Sequence, residues 1–69
     1  MRYYIADHNG IPLSNQPENG YTKLGAIERA QRECEECVLL FGGKIQDYTN
    51  DIYIMDSNFK IHSELQSAI

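Results

Sequence analysis

The chain has 69 residues, with ten Asp and Glu against six Lys and Arg and a formal net charge of −4. That length is one domain with room for a helix on one side of a sheet, and a deep cleft with its supporting residues is hard to build in it, which argues against an enzyme. The acidity argues against direct nucleic-acid binding, which needs clustered cations to neutralise phosphates, whereas Arg2, Lys23, Arg29, Arg32, Lys44 and Lys60 are scattered along the chain.

Residues 2–6 read as a first strand, since Tyr and Ile suit a pleated, half-buried surface. Asp7-His8-Asn9-Gly10 is a hairpin turn, because Asn and Gly both accept positive φ. Residues 11–14 return, with Pro12 confining that strand to an edge. Residues 15–20 are loop by composition. Thr22 is the expected N-cap of a helix over 23–41 whose apolar stripe is Leu24, Ile27, Ala30, Cys34, Cys37 or Val38, and Phe41. Its other face carries Glu28, Arg29, Arg32, Glu33, Glu35 and Glu36, with ion pairs at i,i+4 spacing. Gly42-Gly43 ends the helix.

Residues 44–48, 52–55 and 59–63 read as three further strands, separated by turns at 49–51 and 56–58. The predicted fold is α+β, in the order ββαβββ: a single amphipathic helix packed on one face of a 4–5-stranded antiparallel sheet. The domain spans 1–64, and 65–69 form a flexible tail or short terminal turn.

The two ends of the chain resemble each other. Tyr4-Ile5-Ala6-Asp7-His8-Asn9-Gly10 and Tyr53-Ile54-Met55-Asp56-Ser57-Asn58-Phe59 align at a constant offset that also matches Ser14 with Ser63. The simplest reading is one good hairpin chemistry used twice.

Strand parity predicts which face is covered. If Ile5 and Ile54 face the helix, so do Tyr3 and Ile52, and Tyr4 and Tyr53 point the other way. Tyr48 joins them if Ile45 is buried. One helix covers one face, so these tyrosines stand on an open face as candidate partner-binding residues.

Cys34-Glu35-Glu36-Cys37 has redox or metal spacing, but it lies in the second half of the helix among glutamates that disfavour a thiolate. Both cysteines read as small core residues without a disulfide. His8 and His62 complete no zinc pattern with them. Asp7, Asp47, Asp51 and Asp56 read as turn caps. No nucleophile stands beside either histidine, and no phosphate loop is present, so no catalytic residue, metal or cofactor is expected.

No leader or membrane span is expected, Met1 reads as a natural start, and the chain is expected to be cytoplasmic with reduced thiols. The leading function is a non-enzymatic protein-interaction module, homodimeric through the tyrosine face. The alternative is a phage or mobile-element inhibitor presenting Glu28, Glu33, Glu35 and Glu36 to a basic nucleic-acid-processing protein. A second alternative is a metal- or redox-active protein using Cys34 and Cys37.

Overall fold

The computed structural model describes residues 1–69. The elements in chain order are β1 (Tyr3–Asp7), α1 (Lys23–Phe41), a 3₁₀ turn (Ile45–Asp47), β2 (Ile52–Asp56) and α2 (Ser63–Gln66). The class is α+β, but the sheet is a two-stranded antiparallel ribbon of β1 and β2 in the register Ile5 opposite Ile54, and not a sheet of four or five strands.

Each missing strand has a physical cause. In the segment 11–14, Pro12 has no N–H to donate, and the pairing shrinks to a single bridge between Ala6 and Pro12. In 59–63 the pairing is likewise one bridge, Met55 with Ile61, before the chain turns into α2. In 44–48 the Asp47 carboxylate accepts the Lys44 N–H at 2.9 Å, and this local capping closes a 3₁₀ turn where a strand was predicted. Residues 65–69, read from the sequence as a tail or short terminal turn, begin inside α2; Leu65 is buried and Ile69 packs on the core.

The repeat in the sequence is a repeat in the backbone. Asp7 N–H donates to Ile11 O and Gly10 N–H to Asp7 O; Asp56 N–H donates to Lys60 O and Phe59 N–H to Asp56 O. Asp7 Oδ1 accepts the N–H groups of Asn9 and Ile11, and Asp56 Oδ1 those of Asn58 and Lys60. Leu13 N–H reaches Ile5 O as His62 N–H reaches Ile54 O. Both are three-residue hairpin loops ending in a left-handed residue. Because β1 and β2 are antiparallel and centred on Ile5 opposite Ile54, the two copies are related by a local two-fold axis through that pair.

The helix starts where its cap says it should. Thr22 Oγ1 accepts the Gly25 N–H at 3.2 Å, and Gly42, at φ 81°, closes the other end with its N–H on Val38 O. The core joins Ala26, Ala30 and Cys34 of α1 to Ile5, Ile52, Ile54 and Leu65, with Tyr3, Leu13, Tyr21, Ile27, Tyr48 and Ile69 at its margin. Small alanines at the contact let the helix lie close to the ribbon. The buried stripe is therefore narrower and shorter than predicted, and Leu24 and Phe41 are exposed. The reason is length. Nineteen residues make a rod of about 28 Å, while a five-residue strand spans about 17 Å. The Tyr3–Tyr21 bridge ties the N-terminal end to the ribbon, so the overhang falls at the C-terminal end, where Leu39, Leu40 and Phe41 are exposed. No helix is long and apolar enough to cross a membrane.

Candidate docking face

Parity sorts the ribbon into two faces. Tyr3, Ile5, Ile52 and Ile54 belong to the core beneath α1. Tyr4, Ala6, Tyr53 and Met55 alternate with them and lie on the opposite face. The bridge partners extend that face, because directly opposed residues share a side: Pro12 lies beside Ala6, and Ile61 beside Met55. Ala6 and Met55 are buried, Tyr4 and Tyr53 are half-buried, and Pro12 and Ile61 are exposed. Tyr4 owes part of its burial to Gly20, whose left-handed backbone (φ 80°) passes so close that an added Cβ would lie 3.0 Å from the Tyr4 ring.

On this face Tyr4, Pro12, Met55, Asp56, Ser57 and Phe59 line a shallow cleft of about 240 Å³. Phe59 is its conspicuous member. It holds the left-handed position (φ 65°) that Gly10 (φ 79°) holds in the other copy, and its side chain is left 73% exposed. A left-handed conformation costs a residue with a Cβ on the order of 1–2 kcal/mol. Nothing inside the molecule offsets that cost by burying the ring. Sequence reasoning did not place Phe59, Pro12, Met55 or Ile61 among the partner-binding residues. The signal was present in the repeat, which aligns a bulky aromatic with the glycine of an Asn-Gly turn.

Tyr48 does not join Tyr4 and Tyr53. The 3₁₀ turn swings it to the helix side, where it packs against the core and its hydroxyl donates to Gly42 O. Of the acidic helix residues, Glu28, Glu35 and Glu36 are exposed. Glu33 accepts from Arg29 Nε at 2.7 Å, and Arg29 also holds Ser14 O, Asn15 O and the Tyr21 hydroxyl, pinning the loop after β1 to α1. The acidic face is thus interrupted by a cation committed to structure.

Cys34 is buried and Cys37 half-buried, and both thiols are free. Burial pushes both up, and for Cys37 the neighbouring Glu33 adds to the effect. Neither is poised as a thiolate.

A second constellation was also missed. His62 Nε2 lies 2.9 Å from Asp56 Oδ2 and Nδ1 lies 2.9 Å from Glu64 Oε1, while its ring meets Tyr3 edge-on at 5.3 Å between centroids. The Asp56 hydrogen bond, then that of Glu64, raises the histidine above its ordinary value. The same contacts hold both carboxyls below theirs, with the Lys60 and Asn58 N–H groups assisting at Asp56. Both ring nitrogens are engaged by carboxylates, and no group of three His, Cys, Asp or Glu side chains is arranged to hold a metal ion. His8 stands exposed on the first turn. The sequence hint was parity: His62 occupies the helix-facing place that Leu13 holds in the other copy.

No protein-family model, no curated protein and no solved structure matches the chain.

Proposed function

We propose that the chain is a non-catalytic binding module that docks through the ribbon face opposite α1, and that its partner is a second copy of itself. The observation that carries this reading is Phe59: an exposed aromatic ring held in a left-handed conformation beside an apolar cleft. Strained and unburied groups of this kind mark places where something else completes the packing. The partner is taken to be a second copy because knob and hollow lie side by side on one patch, which is what a two-fold isologous contact requires. Tyr4, Tyr53 and Met55 form the floor, with Pro12 and Ile61 at the edges. The free, protonated thiols suit a reducing compartment, and we place the module in the cytoplasm.

A ribbon this short presents a face at the small end of protein interfaces, so the expected association is weak. Sedimentation equilibrium up to millimolar concentration tests it. The wild-type chain should dimerise reversibly. Phe59→Gly should weaken the dimer by about tenfold or more, the loss of an aromatic anchor. The same substitution should leave the monomer as stable as before or more stable, by at most about 1 kcal/mol, since it removes left-handed strain. A wild-type chain that stays monomeric throughout would sink the reading.

A further inference from the structure

We infer that His62 is a pH-operated latch that fastens the C-terminal helix α2 and the second hairpin turn to β2. Ionised carboxylates only accept hydrogen bonds, and a neutral imidazole has a single N–H. Asp56 Oδ2 and Glu64 Oε1 each lie 2.9 Å from a different ring nitrogen. Only the doubly protonated ring satisfies both, so the observed geometry is that of an imidazolium clasped between two carboxylates.

β2 contributes Asp56, whose other oxygen caps the turn through the Asn58 and Lys60 N–H groups. α2 contributes Glu64, and β1 contributes the Tyr3 ring. The turn contributes Lys60, whose charge acts on Glu64. No charged group of α1 lies among the ring's bonded partners, which are Asp56 and Glu64 alone.

Loss of the ring proton breaks the clasp unequally. The Asp56 side chain is 8% exposed and is held by the turn, so it keeps the remaining proton on Nε2. Nδ1 then turns a lone pair toward Glu64, a side chain 67% exposed that water readily takes. Glu64 swings out, and α2 loses its polar tether. What is left is the Leu65 side chain in the core, Ile69 at its margin, and the long contacts of Gln66 Nε2 with Thr49 O (3.3 Å) and Gln31 Nε2 with Ala68 O (3.4 Å). The segment 63–69 therefore loosens.

The sign follows from the directions of the shifts. The raised histidine contributes stability that is complete below its ordinary value near 6.5 and disappears as pH rises through the raised value. The lowered carboxyls contribute stability that is present above their ordinary values, 3.8 for Asp56 and 4.5 for Glu64, and disappears as pH falls through the lowered ones. The latch is closed in mildly acidic solution and opens on the alkaline side. The first copy of the hairpin, with Leu13 in the place of His62, has no such device.

The test is NMR of the full chain. Followed by its ring Cε1–H signal across pH, His62 should titrate above the ordinary histidine value near 6.5. Amide exchange at residues 63–69, corrected for intrinsic rates, should accelerate several-fold between about pH 6 and pH 9. His62→Leu, which copies the first hairpin, should abolish that pH dependence. Glu64→Gln, which leaves the core untouched, should move the His62 midpoint down and shrink the exchange difference. A His62 midpoint at or below the ordinary value near 6.5, or an exchange profile as pH-dependent in Glu64→Gln as in the wild type, would overturn the latch. Neither result bears on self-association, which is read separately by sedimentation.

Discussion

The two hairpins of this molecule share a backbone and differ in what they do with it. In the first, residues 7–11, the left-handed position is a glycine with nothing within 4 Å of a hypothetical Cβ. In the second, residues 56–60, it is Phe59, exposed beside a cleft. Where the first places Leu13 against the core, the second places His62 between two carboxylates. Where the first has Gln16, the second has Leu65. The Gln16 amide behaves like a borrowed peptide group: Ile5 N–H donates to its Oε1 at 2.7 Å, and its Nε2 donates to Ile5 O at 2.8 Å and to Leu13 O at 2.6 Å. Leu65 instead enters the apolar core. One copy is thus built to close a sheet edge with hydrogen bonds. The other gives up that closure and gains a helix, a titratable clasp and an outward aromatic. A turn motif held by its own carboxylate leaves neighbouring positions free to diverge.

The comparison can be broken at its centre. Ile5 and Ile54 face each other on the local axis, and both are fully buried. Ile5→Ala and Ile54→Ala should each cost about 3 kcal/mol in urea unfolding, and the two losses should agree within about 1 kcal/mol if the copies are equivalent in the core. A large inequality would show that the symmetry is one of hydrogen bonds and not of packing. A smaller effect comes from importing the second copy's residue into the first. Gln16→Leu leaves the Ile5 N–H without its partner and should cost about 2 kcal/mol, with faster exchange of that amide. Smaller again is Gly10→Ala, expected to cost about 1 kcal/mol by thermal unfolding. Open space surrounds the position, so the loss comes from backbone conformation alone. Little or no loss there would remove the strain argument made for Phe59.

Much of the scaffold was legible in the sequence because it is specified locally. Thr22 announces the helix start, Gly42 its end, Asn9-Gly10 the first turn, and the alternation of Tyr4, Ile5 and Ala6 the two faces of the ribbon. What was not legible depends on side chains acting at a distance or against type. Residues 44–48 have strand-like composition, but the Asp47 carboxylate caps the Lys44 N–H and a turn wins. Residues 59–63 pair at one position and then yield to a helix nucleated beside His62. Tyr48 was placed by the parity of a strand that does not form. Of the candidate docking face, Tyr4 and Tyr53 could be read from alternation, whereas Phe59 required comparing the two copies residue by residue.

The overhang of α1 has a mechanical consequence. Beyond the ribbon the rod is a cantilever carrying Leu39, Leu40 and Phe41, all uncovered, and steadied by the strut from the Tyr48 hydroxyl to the Gly42 carbonyl. A load-free lever with a greasy tip and one brace is where the rod first unwinds, so Tyr48→Phe should melt the final turn long before the clamped middle around Ala30 feels the change.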